Sequence, residues 1–254
     1  MLLPLRNELR LRLGPQHRAA EVWSGGLFPR LAGETAQPGA STAPIDELVA
    51  TLAAAGLELP RRASVCAEDE FVYYATLPAL GSWKEANAAA GEYLAGLLGD
   101  ADLLVDTTLA PCGTRWIAAA IDAALVQGWR QALEGHGVAL HGVRPAMLED
   151  LWALRPHVAI DDGVLAMVRS EGVSLIALAG GGVVDVAWER CDVDDLGVLA
   201  DRIACAGAEL LDADEAQPVP VCVVAAPHAD LAPLRELAAS RAWPLSEGLC
   251  RAAP

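Results

Sequence analysis

The chain has 254 residues, 54% of them hydrophobic and 20% charged, which excludes intrinsic disorder and collagen-like structure and allows one large domain or two smaller ones. Its 34 acidic residues outnumber 18 basic ones, and the formal charge of −16 repels nucleic-acid phosphate and anionic lipid alike. Seventeen of the bases are arginine. The single lysine, Lys84, lies in Ser82-Trp83-Lys84-Glu85 rather than a glycine-rich loop, which removes a Walker A site and lysine chemistry elsewhere.

In chain order, residues 1–8 turn charged at once and are not read as a secretory signal. Leu9, Leu11 and Leu13 alternate with Arg10 and Arg12, Gly14-Pro15-Gln16-His17 breaks the pattern, and 19–23 resumes it, which predicts a β-hairpin. Residues 33–44, rich in Gly, Pro, Ser and Thr, read as a loop. The spacing of Ile45, Leu48, Val49 and Leu52 predicts a helix over 45–57. Strands are expected at 63–67, 71–77 and 103–107, with a helix over 82–98.

Residues 114–133 give the clearest helical pattern, in which Trp116, Ile117, Ala120, Ile121, Ala124, Leu125 and Trp129 form an apolar stripe. Gly135-His136-Gly137 ends it, 138–143 returns as a strand, and 144–163 reads as a connection between lobes. Three strands follow at 164–169, 173–179 and 183–190, the middle one apolar on both faces. Asp194-Asp195 then caps a helix through Leu196, Leu199, Ile203 and Leu210. Residues 219–225 read as a buried strand, and Asp230 caps a final helix. The two halves share an order, with an extra strand-helix-strand block at 71–107 in the first. Duplicated βββαβα halves predict a two-lobed α/β protein with a ligand cleft between the lobes.

Mean hydropathy is +0.31, yet three glycines interrupt 172–184 and three prolines 216–229, so neither supplies the ~20 apolar residues of a membrane span. Cys66, Cys112, Cys191, Cys205, Cys222 and Cys250 show no CxxC or Cys/His ligand spacing and read as small core residues of a reducing cytoplasm. Gly180-Gly181-Gly182 leads into a strand rather than a helix, so it reads as a hairpin turn and not a phosphate cradle. Asp106 lacks the second acid of magnesium-assisted phosphoryl transfer. Asp161-Asp162 and the group Asp192, Asp194, Asp195 lack EF-hand spacing and read as caps. His228 with Asp230, and Cys112, stand outside any GxSxG, HExxH or cysteine-nucleophile pattern, and His17, His136, His141 and His157 are isolated near turns. No catalytic, cofactor-binding or metal-binding residue is assigned.

Three stretches carry a resemblance: SVCAEDEFVYYATLP, AAIDAALVQGWRQALEGHGVALHGVRPAML and VLAMVRSEGVSLIALAGGGVVDVAWERC. Their order of elements resembles the actin-like (ASKHA) group formed by the cytoplasmic M protein of type IV pilus assembly and the cytoplasmic domain of the type II secretion L protein. The resemblance implies two RNase H-like lobes: 1–155, with a β-α-β insertion at about 71–110, and 156–254. Actin-like proteins bind ATP through two acidic, glycine-containing hairpins and a Gly-Gly adenosine turn. The corresponding stretches here are Leu13-Gly14-Pro15-Gln16-His17 without the acid, Val168-Arg169-Ser170-Glu171-Gly172 with one acid and one glycine, and Val224-Ala225-Ala226-Pro227 without glycine.

The resemblance therefore implies a non-catalytic scaffold of a type IV pilus or type II secretion-like assembly platform, with no cofactor. It would be cytoplasmic and held at the inner membrane through a partner's cytoplasmic tail, with room for a homodimer. Neither nucleic acid nor direct membrane insertion is expected. The chain ends at Pro254 without the transmembrane helix and periplasmic domain of the L proteins, which favours the free-standing M protein as its analogue. The alternative is an actin-like ATPase or small-molecule kinase with diverged nucleotide motifs.

Overall fold

The computed structural model describes residues 7–26, 28–38, 45–99, 102–111, 115–154, 160–212, 218–226 and 230–247. The hairpin predicted at the start forms from β1 (Glu8–Leu13) and β2 (His17–Ser24), with Leu13 opposite Arg18. β3 (Arg30–Pro38) pairs with β2, so 33–38 is a strand rather than the expected loop. Its small and polar residues are tolerated because it is an edge strand; positions 39–44 lie outside the described residues. α1 (Ile45–Ala54) buries Ile45, Leu48, Val49 and Leu52.

β4 (Arg62–Ala67) runs parallel to β1, and β8 (Ala139–Pro145) parallel to β4, giving the order β3-β2-β1-β4-β8. A second sheet repeats this walk. β9 (Gly163–Val168), β10 (Gly172–Ala179) and β11 (Gly182–Arg190) form an antiparallel meander. β12 (Val221–Val224) and β13 (Leu245–Ser246) then add in parallel, for the order β11-β10-β9-β12-β13. α5 (Leu196–Leu210) and α6 (Leu231–Arg241) bury Leu199, Ile203, Leu234 and Leu237 against Val164, Val173, Leu175 and Val223. Asp195 caps α5, its Oδ1 accepting from the amides of Gly197 (3.0 Å) and Val198 (3.1 Å).

A smaller sheet has the order β5-β7-β6, from β5 (Val72–Leu77), β6 (Leu103–Leu109) and β7 (Trp116–Asp122). α2 (Trp83–Leu98) packs Ala90 and Leu94 onto Ala75, Leu77, Ala118 and Ala120. Here the single helix expected over 114–133 is corrected: its first half is β7, and only α3 (Ala123–Gly135) is helical. β7 is a central strand in which Ile117, Ala118, Ala119, Ala120 and Ile121 are all buried. Burial on both faces erases the two-residue period and leaves an apolar run that reads equally as helix. Asp122 marks the junction by accepting from the amide of Ala124 at 2.7 Å. A second correction concerns 144–163. β8 extends to Pro145 and α4 (Ala146–Leu154) follows at once, burying Met147, Leu151 and Leu154.

Contacts divide the chain into two compact units. The first comprises Met1–Phe71 and Ile121–Glu149, the second Val72–Ala120 and Asp150–Pro254. Among the described residues no helix is long and apolar enough to cross a membrane.

Candidate functional site

The second unit's hairpin, between β9 and β10, closes with the Arg169 amide donating to the Gly172 carbonyl at 2.8 Å. Arg169 is turned inward. Its Nη1 lies 2.7 Å from Asp150 Oδ2 on α4, its Nε donates to Ser174 Oγ at 3.2 Å, and Nη2 lies 3.8 Å from Met167 Sδ. The Arg169 and Asp150 side chains are 1% and 4% exposed, so this is a desolvated ion pair. Glu171, the acid of the hairpin, meets Arg190 at 2.7 Å. Gly172 serves packing: a Cβ there would lie 2.1 Å from the Glu189 carbonyl oxygen of β11.

The first unit's hairpin has a comparable arrangement. The Gly14 amide donates to His17 O at 2.8 Å, and the Glu68 amide to Leu13 O at 2.8 Å. That places the Glu68 carboxylate, just past β4, on the Arg12 guanidinium. A Cβ on Gly14 would come within 2.8 Å of Glu68 Cγ. An acid 56 residues along the chain is thus brought to this hairpin, already bonded to arginine.

At the third stretch, Ala225 follows β12 fully buried and its amide donates to Ser246 O at 2.9 Å, so that backbone donor is used inside the sheet. Pro227 lies outside the described residues. The glycine turn forms as expected, with Gly180 at φ 56° and Gly181 at φ 74° between β10 and β11. Asp161 and Asp162 hold it: the Gly181 amide donates to Asp161 O at 2.8 Å and the Gly180 amide to Asp162 Oδ1 at 2.7 Å. Asp192 accepts from the Asp194 amide at 3.0 Å, and Asp230 caps α6 through the Ala232 amide at 3.0 Å.

Asp106 sits mid-strand in β6, where Oδ1 accepts from Trp83 Nε1 (3.1 Å) and the Thr107 amide (2.8 Å). His136 meets Asp46 at 2.7 Å on the surface. Cys112, Cys250, His157 and His228 lie outside the described residues. Burial pushes the Cys222 and Cys191 thiols up, away from the thiolate that a nucleophile or metal ligand requires. Among the described residues no group of His, Cys, Asp and Glu is placed to hold a metal.

No family model matches the chain, and no curated protein matches it. Solved structures do. A chain of the PilM-PilN type IV pilus biogenesis complex superposes with a TM-score of 0.65 at 16% identity, over 95% of this chain and 88% of that one. A Bacteroides thetaiotaomicron protein with an actin-like ATPase fold and unknown function gives 0.61 at 9% identity, over 95% and 90%. This chain has the actin-like fold. The actin-like assignment accounts for the two sheets of identical strand order. A further likeness within it is the cytoplasmic domain of EpsL, an inner-membrane component of the Vibrio cholerae type II secretion system, with a TM-score of 0.51 at 12% identity over 86% and 82%.

Proposed function

We propose that this actin-like protein is a non-catalytic cytoplasmic scaffold of a type IV pilus or type II secretion-like assembly platform. It docks on an inner-membrane partner through that partner's cytoplasmic tail. The observation that carries the non-catalytic part is the pairing at both hairpins, Arg12 with Glu68 and Arg169 with Asp150. An actin-like nucleotide site needs carboxylates there to hold a cation, and a carboxylate committed to a guanidinium has little charge left for one.

Two likenesses support the docking part: a chain of the PilM-PilN complex and the cytoplasmic domain of an inner-membrane secretion component. Charge supports it as well. The second unit's sequence holds 22 acids against nine bases, and the first unit's 12 against nine, so the negative surface that suits a basic tail lies mainly in the second. Titration calorimetry with Mg-ATP tests the first part: no heat of binding at millimolar nucleotide is expected, and micromolar binding would return the protein to the actin-like ATPases or small-molecule kinases. Fractionation of native cells tests the second. The protein should follow the inner membrane and co-purify with a bitopic protein; its complete absence from the membrane fraction would remove the scaffold reading.

A further inference from the structure

Seven of the ten exposed large apolar residues among those described lie on β5, α2 and β6: Tyr73, Trp83, Tyr93, Leu97, Leu98, Leu104 and Leu109. Among the described residues β6 is moreover an edge strand, next to β7 alone in its sheet. The Ala110 amide donates to Arg115 O at 2.9 Å just beyond β6, fixing which way its backbone faces. By strand alternation the groups of 104, 106 and 108 point to β7, and those of 103, 105, 107 and 109 to the open edge.

One of those outward donors is occupied. The Thr107 amide is bonded at 2.8 Å by the carboxylate of its own neighbour, Asp106. A charge folded back onto the edge in this way blocks indiscriminate strand pairing. The guard is removable, because Asp106 is exposed and a cation can draw its carboxylate away.

We propose that the β6 edge docks an extended partner segment in which apolar residues alternate with arginine or lysine. A basic residue opposite Asp106 takes the carboxylate, and the freed Thr107 amide donates to a carbonyl of the incoming strand. The basic residues share the face of Leu104 and Asp106, where their aliphatic stems lie on Leu104, and the apolar residues fall on the other face, beside Leu109. Charge selects this occupant over a second copy of the chain. Asp106 is the middle residue of the strand, so two β6 strands paired about their centres would oppose Asp106 to itself. Glu85, Glu92 and Asp102 add negative charge nearby, against Lys84 alone on α2 and β6.

This deepens the scaffold reading and rests on it for the kind of partner. The test is fluorescence anisotropy with a short labelled peptide alternating valine and arginine, and a twin carrying glutamine for each arginine. The arginine peptide should bind at least about tenfold more tightly than the twin. Asp106→Ala should weaken the first, strengthen the second and bring the two within about twofold. Leu104→Lys should weaken the arginine peptide, and Glu34→Lys, on the edge strand β3, should change neither, with circular dichroism confirming that each variant folds. Absence of binding, equal binding of both peptides to the native protein, or a concentration-dependent dimer abolished by Leu104→Lys would each overturn the proposal. If binding at β6 fails while the protein still follows its membrane partner, only this site falls; if membrane association is absent too, the scaffold reading falls with it.

Discussion

The two five-stranded sheets share a strand order but bury their faces differently. In the first unit, the face of β1 and β2 away from Leu9 and Leu11 is a polar network. There Arg10 stacks over Trp23 at 4.9 Å and bonds Glu8, while Trp23 bonds Glu21. In the second unit, the matching face of β9 and β10 buries Leu165, Met167, Ser174 and Ile176. Strand order fixes neighbours, and side chains decide which faces go dry. An arginine at the wetter hairpin keeps some water, whereas Arg169 has been taken into the interior with Asp150 as its partner.

That contrast predicts its largest effect at the two ion pairs. Arg169→Met should destabilise the protein by about 3–5 kcal/mol by stranding the Asp150 carboxylate, and Arg169→Met with Asp150→Leu should recover most of the loss. Arg12→Met should cost no more than about half as much, since both partners keep some solvent. Urea midpoints of the three variants check this, and equal losses at the two arginines would break the comparison.

The hairpin glycines sharpen it at a smaller scale. Gly172→Ala should cost about 1–3 kcal/mol, because its Cβ meets backbone at 2.1 Å, while at Gly14→Ala the 2.8 Å approach is to the movable Glu68 side chain and backbone comes no nearer than the His17 oxygen at 3.3 Å, so it should cost less. Thermal melts rank the pair. Thr107→Val should work in the opposite direction and raise the melting temperature. The Thr107 hydroxyl is buried without a hydrogen-bond partner among the described residues, and removing it relieves about 1 kcal/mol.

The smallest effect is a pH dependence from Cys222 on β12. Burial raises its thiol above the ordinary value of 9.0, so the stability it contributes is complete below that pH and declines as pH rises through the higher folded value. Urea midpoints should therefore fall between about pH 8 and pH 10, and less steeply in Cys222→Ala.

Where burial was one-sided, the sequence was legible. β1 and β2 alternate, the glycine turn lies between two strands, and Asp195 and Asp230 stand before apolar helical spacing, so these elements could be read locally. β7 could not, because Ile117 to Ile121 are buried on both faces and carry no period. β3 was hidden for the converse reason, its edge position tolerating the composition of a loop. The hairpins were legible only as departures from the acidic pattern. The ion pairs at the hairpins join residues 19 and 56 positions apart, and no local spacing signals them.

The division of the chain also sets an order of events at the ribosome. All sequence of the first unit has been made once Glu149 is added, whereas the second needs both Val72–Ala120 and the rest of the chain. Strand β5 must wait for β11, whose Asp185 receives the Thr76 hydroxyl. At ~5–20 residues per second that interval lasts on the order of several seconds. Throughout it the nascent β5-β7-β6 sheet, with its greasy α2 and open edge, stands without its β11 neighbour, making it a natural client for a chaperone during synthesis.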